Sequence, residues 1–84
     1  MSVYVDASIY QYRRMVMCHM LADTEDELHA MADKIGIQRK WFQAKASTPH
    51  YDICKAKRDL AVQHGAVEVD RRQLVTIIRR LRTA

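Results

Sequence analysis

The sequence predicts a small α/β domain, with a mostly parallel sheet and about three helices in the order β-β-α-β-α-β-α. Three observations predict it. Short apolar or alternating runs, several with β-branched residues, lie between stretches of helical periodicity. Two helix starts carry a capping-box pattern, Thr24 with Glu27 and Asp70 with Gln73. A chain of 84 residues holds one core and little more, so residues 1–84 are read as a single domain.

The elements follow in order. Val3 and Val5 alternate with Tyr4 and Asp6, which reads as a short strand leading into a loop at Asp6, Ala7 and Ser8. Residues 15–21 are almost continuously apolar, the mark of a central strand buried on both faces. From Thr24 a helix carries Leu28, Met31, Ala32 and Ile35 on one face and ends at Gly36, which can take the left-handed conformation. Residues 37–43, with Trp41 and Phe42, read either as a strand or, through Gln38, Arg39 and Lys40, as an exposed approach, and residues 44–49 as a loop. Asp52 is a suitable N-cap for a helix with Ile53, Ala56, Leu60 and Ala61 in its stripe, ending at His64 and Gly65; Thr48 and Pro49 offer a rival start. Residues 66–69 alternate as a last strand. Leu74, Ile77, Ile78 and Leu81 form the stripe of a last helix.

Composition excludes several classes. With 49% apolar and 29% charged residues, the chain is balanced as a folded globular protein rather than a disordered tail. No apolar run approaches the roughly twenty residues that cross a bilayer, and no signal-peptide pattern opens the chain, so no membrane partner and a cytoplasmic location are expected. Cys18 and Cys54 lack CxxC spacing and fall in apolar stretches, the pattern of two reduced, buried thiols. A domain this small would gain from pairing as a homodimer.

The net charge is +4 and is unevenly spread. Acids gather at Asp23, Glu25, Asp26, Glu27 and Asp33, and arginines at 71, 72, 79, 80 and 82. The arginines oppose the apolar stripe of the last helix, as a solvated face does; a nucleic-acid backbone contact through Arg72, Arg79 and Arg80 is the functional alternative. The asymmetry also suits docking on a host protein.

The polar residues that carry chemistry are His19, Asp23 and the triplet His50, Tyr51 and Asp52. His19 lies in an apolar strand and needs a partner if buried, which Asp23 could be. His29 stands four residues after Glu25, as in an exposed helical pair. His50 and Tyr51, with Lys55 and Arg58 one turn apart, could surround a phosphate near a helix N-terminus. His19, Asp23, His50 and Asp52 offer metal-ligand atoms without any recognised metal spacing, so the sequence assigns no metal and no cofactor. No Walker loop, GxGxxG, HExxH or nucleophile elbow is present around Ser2, Ser8 or Ser47.

Several short pieces in order resemble a small family of bacterial and phage proteins, domain-of-unknown-function family 4031: Val3, Tyr4, Val5 and Asp6; Cys18, His19 and Met20 followed by Ala22, Asp23 and Thr24; Glu27, Leu28 and His29; Ile35 and Gly36; His50, Tyr51 and Asp52; Gly65 and Ala66. The resemblance covers nearly the whole chain. It implies a stand-alone phage, prophage or bacterial accessory protein and singles out His19, Asp23, His29, His50, Tyr51 and Asp52, but it implies no reaction. The favoured expectation is therefore a protein that binds a phosphate-bearing ligand, a nucleotide or nucleic acid, through His19, Asp23, His50, Tyr51, Asp52, Lys55 and Arg58. The alternatives are a metal-assisted or His/Asp acid-base hydrolase, and a protein-protein interaction or inhibitor protein.

Overall fold

The apolar run in the first third of the chain becomes the middle of the sheet, because only a central strand can bury side chains on both faces. A computed structural model describes residues 2–6, 10–12, 15–44 and 48–83. Its elements are β1 (Val3–Asp6), β2 (Tyr10–Tyr12), β3 (Met15–Ala22), α1 (Glu25–Ile35), a 3-10 turn (Arg39–Trp41), β4 (Phe42–Gln43), β5 (His50–Cys54), α2 (Lys55–Gln63), β6 (Val67–Val69) and α3 (Arg71–Thr83). The expected loop at Ala7 and Ser8, residues 45–47 of the expected second loop, and the hydroxyls of Ser8 and Ser47 lie outside the described residues.

The sheet runs β4-β5-β3-β1-β6, and β2 also pairs with β3. β1 and β2 take successive lengths of one edge of β3, and β5 takes the other. The α/β class holds, but the mostly parallel sheet does not. Among the described residues only β1 and β6 pair in parallel; the remaining pairs are antiparallel. The reason is β5. Residues read as a loop and a helix start form this strand, and the short connection from β4 forces an antiparallel return where a helical crossover had been expected. The residues between Gly36 and β4 follow the exposed alternative, forming a 3-10 turn that leaves Trp41 59% exposed.

Side chains alternate across the strands and divide the core in two. Val3 and Val5 of β1, Cys18, Met20 and Ala22 of β3, and Tyr51 and Ile53 of β5 face α1 and α2, where they meet Leu28, Met31, Ala32, Ile35 and Ala61. On the other face Leu21 and Val69 meet Leu74 and Ile77 of α3, with Tyr4, Ile78 and Leu81 at the margin. Helices therefore cover both faces of the sheet, and the residues with even numbers in β1 and β5 share the α3 face with His19.

The helix ends follow the local chemistry. Thr24 Oγ1 accepts from the Glu27 N–H at 3.2 Å. Gly36 takes φ 80°, and its N–H caps the carbonyls of Ala32 and Asp33. At α3, Gln73 N–H donates to Asp70 Oδ1 at 2.7 Å while Asp70 N–H donates to Gln73 Oε1 at 2.9 Å, a reciprocal capping box. α2 is capped by Cys54 without a side-chain bond, so Asp52 is not its N-cap. Among the described residues no helix is long and apolar enough to cross a membrane.

Candidate metal centre

Strand register assembles the site. In β5 the period of two puts His50 and Asp52 on the α3 face and turns Tyr51 into the core. Across the ladder Asp52 pairs with His19 of β3. On the far side of β3, Val5 pairs with Met20, which brings the next residue of β1, Asp6, alongside His19. Three strands thus deliver Asp6, His19, Asp52 and His50 in a row.

Each imidazole is held by its Nδ1. His19 Nδ1 lies 2.8 Å from Asp6 Oδ2, and the His19 backbone N–H donates to Asp6 Oδ1 at 2.9 Å. His50 Nδ1 lies 2.8 Å from the Thr48 carbonyl oxygen. A carbonyl oxygen only accepts, so His50 Nδ1 carries the proton and, in the neutral ring, Nε2 keeps its lone pair. The same holds for His19 against the Asp6 carboxylate. The Asp6 hydrogen bond raises the His19 pKa above its ordinary value; burial opposes the rise, and the charges of Asp6 and Asp52 support it.

The two Nε2 atoms turn toward one carboxylate oxygen. Asp52 Oδ1 lies 3.3 Å from His50 Nε2 and 3.7 Å from His19 Nε2. The rings meet edge to face with centroids 5.3 Å apart. Ligand atoms of His19, His50 and Asp52 all lie within 4.8 Å of one another. Asp52 Oδ1 is itself buried and has no hydrogen-bond partner. With both imidazoles neutral, none of these three acceptors donates to another, and the unpartnered Asp52 Oδ1 is placed to meet a cation, either a proton or a metal ion. Two imidazoles and one carboxylate are a common donor set for divalent transition metals, and three protein ligands leave positions open for water or substrate. Asp6 supplies the hydrogen bond that fixes the His19 ring, the kind of outer contact that orients metal-binding histidines.

The remaining sequence-predicted residues disperse. Tyr51 is fully buried on the opposite face, where its hydroxyl lies 2.8 Å from His29 Nδ1 and its ring packs against Phe42. His29 is therefore half-buried against Tyr51 and Phe42 rather than an exposed partner of Glu25. Asp23 does not reach His19 as its expected partner: it accepts from the Ser2 N–H at 2.8 Å, the Tyr4 hydroxyl at 2.9 Å and Arg80 Nη2 at 2.7 Å. Lys55 is exposed at the start of α2. Arg58 donates from Nε to the Asp6 carbonyl at 3.0 Å and pairs with Glu68 at 3.0 Å. Strand alternation and these pairings separate the four residues expected to ring a phosphate. Arg72 and Arg79 are exposed on α3, while Arg80 is bound to Tyr4 and Asp23.

Asp6 is the residue that sequence reasoning missed. Its signal was present, because a carboxylate in register with Tyr4 on an alternating strand must face the sheet surface opposite Val3 and Val5. Cys18 lies beneath the site on the other face, 1% exposed, and burial, followed by the nearby Asp6 charge, pushes its thiol up to about 12. A thiol so placed holds its proton at neutral pH, and the thiolate is the nucleophilic form.

The sheet, the two helical layers and the His/His/Asp convergence define a small α/β protein with a candidate metal centre on the α3 face. Residues 3–81 match the family described as protein of unknown function DUF4031, and the chain belongs to that family. No curated protein and no solved structure matches the chain.

Proposed function

We propose that the protein binds one divalent transition-metal ion through His19 Nε2, His50 Nε2 and Asp52 and uses it as a metal-assisted hydrolase on a phosphate-bearing substrate. The observation that carries this reading is the buried, unpartnered Asp52 Oδ1 facing two imidazoles whose Nδ1 atoms are already engaged. A tetrahedral zinc ion with bonds near 2.0–2.1 Å needs ligand atoms about 3.3 Å apart. The two separations from Asp52 Oδ1, 3.3 and 3.7 Å, come close to that spacing, and the ligand atoms of all three residues lie within 4.8 Å of one another. A bound ion would lower the pKa of a water in an open position and generate a hydroxide nucleophile near neutral pH. It would also offset the negative charge of Asp52 and Asp6, which alone repel a phosphate.

The test is calorimetric titration of tag-free protein with zinc and with manganese, repeated on His50→Ala and Asp52→Asn. Binding of one equivalent, weakened at least tenfold by either substitution, is the expected result. Absence of binding, or binding indifferent to both substitutions, would overturn the assignment. A panel of phosphomonoesters and phosphodiesters, run with the metal-loaded protein, then reads turnover.

A further inference from the structure

Beside the metal centre the sheet edge is open. β4 covers only His50 and Tyr51 of β5, and among the described residues Asp52, Ile53 and Cys54 have no strand on that side. The chain that would have covered them is the 3-10 turn, which curls away and carries Trp41 outward. The space left is a cleft of about 770 Å³ bounded by Met17, Ile37, Trp41, Ile53, Lys57 and Asp52. That volume lies in the ordinary range for small-molecule sites.

Its walls have a definite chemistry. Met17, Ile37 and Trp41 present apolar and aromatic surface, with the buried Ile53 behind them. Trp41 is the single tryptophan of the chain and 59% exposed, so the core does not account for it. Lys40 Nζ lies 5.3 Å from the indole centroid and also lines the cleft. Lys57 Nζ uses one donor on the Ile35 carbonyl at 2.8 Å and keeps the others for an anion. Asp52 stands at the boundary, lining this cleft while the histidines of the same trio line a smaller cavity of about 240 Å³ on the α3 side.

We propose that this cleft receives a free mononucleotide, its base stacked on Trp41 and its phosphate directed to the metal held beside Asp52. A flat aromatic ring matches an exposed indole. The two ammonium groups and the metal complement a phosphate, and the volume suits one nucleotide rather than a strand. The inference rests on the metal reading for the phosphate end only; the contact between base and indole stands apart from it.

The experiment uses AMP, adenosine and ribose 5-phosphate as probes, with protein loaded with one equivalent of zinc and with chelator-treated protein. Quenching of Trp41 fluorescence and calorimetry read binding, and Trp41→Ala is followed by calorimetry alone. Because the side chain is mostly exposed, this variant is expected to fold, and its thermal transition checks that. AMP should quench Trp41, bind the zinc-loaded protein about tenfold or more tightly than the chelated one, and lose about tenfold or more in Trp41→Ala. Ribose 5-phosphate should be indifferent to Trp41→Ala, and adenosine indifferent to zinc. Zinc-loaded protein that fails to bind AMP overturns the mononucleotide while sparing the metal site. A protein that takes no zinc yet binds adenosine at Trp41 supports the base contact and refutes the metal reading. Equal loss of AMP and ribose 5-phosphate in Trp41→Ala overturns the stacking assignment, and a short oligonucleotide binding far more tightly than AMP overturns the single-nucleotide assignment.

Discussion

Replacing Asp6 by asparagine tests the logic of the site without touching a proposed metal ligand. Asp6 is fully buried, and its two oxygens accept from the His19 backbone N–H at 2.9 Å and from Nδ1 at 2.8 Å. Asparagine keeps the volume but has one oxygen. If that oxygen stays on the backbone N–H, the new amide N–H faces His19 Nδ1 and can only donate to it, driving the imidazole proton to Nε2. A protonated Nε2 cannot ligate a metal. Loss of an outer-shell partner of this kind costs about 10- to 100-fold in metal affinity. Removing both acceptors in Asp6→Ala would strand two donors at about 1–3 kcal/mol each. Since the His19 side chain is 34% exposed, water relieves part of that, and about 2–4 kcal/mol is expected by urea denaturation. Calorimetry with zinc and nitrogen NMR of the His19 ring are the assays for Asp6→Asn. The NMR reads the tautomer, which a merely structural role would leave unchanged. Unaltered zinc affinity together with a proton still on Nδ1 in folded Asp6→Asn would refute the reasoning.

Three further outcomes are expected. Tyr51→Phe removes a buried hydroxyl from His29 and should cost about 1 kcal/mol in urea denaturation while leaving zinc affinity unchanged; a neutral result would show that the His29 contact is not maintained. Cys18, with its thiol raised to about 12 and buried, should resist a thiol reagent at pH 8 in folded protein and react once urea exposes it, as followed by mass spectrometry. Burial pushes the Asp23 carboxyl up, but the hydrogen bonds from Tyr4 and the Ser2 N–H and the Arg80 charge outweigh it, so its pKa is lowered. A group lowered on folding contributes stability that is fully present above its ordinary value of 3.8 and is lost as pH falls through the folded value. Denaturation midpoints of wild type and Asp23→Asn should therefore differ at pH 6 and converge in strong acid; a gap that is constant with pH would remove Asp23 from the account.

Helix α1 was readable because Thr24, Glu27 and Gly36 are local signals whose chemistry needs no partner from elsewhere in the chain, and the observed helix begins and ends at them. β3 was readable because a long apolar run has few places to go but the centre of a sheet. β5 was not. Ile53 belongs both to the alternation Tyr51, Ile53 and to the helical stripe Ile53, Ala56, Leu60, and strand and helix abut at Cys54 without a loop between them. The Thr48 and Pro49 signal and a plausible Asp52 cap then favoured the helix. Once that strand is missed, the sheet becomes parallel in expectation, and Tyr51, Lys55 and Arg58 fall wrongly beside His50. Asp6 was hidden for a related reason: its partner is set by the register of β1 on β3, which no spacing within the sequence prints.

A domain of 84 residues has a net stability of only about 5–15 kcal/mol, so polar groups buried without compensation are a substantial charge on it. Asp6 is compensated by two donors from His19. Asp52 Oδ1 is buried and has none, although His50 Nε2 lies only 3.3 Å away. A proton on His50 could relieve that carboxylate, but it would need ring and carboxylate to realign into a hydrogen bond, while Thr48 already holds the ring by its other nitrogen. A metal ion would accept lone pairs from both imidazoles and the carboxylate at once, drawing together ligand atoms that already lie within 4.8 Å of one another. The same hydrogen bonds hold both rings with Nε2 toward the orphaned oxygen, where the proposed ion would sit, and the Asp6 contact that raises the His19 pKa makes a proton on that ring its competitor.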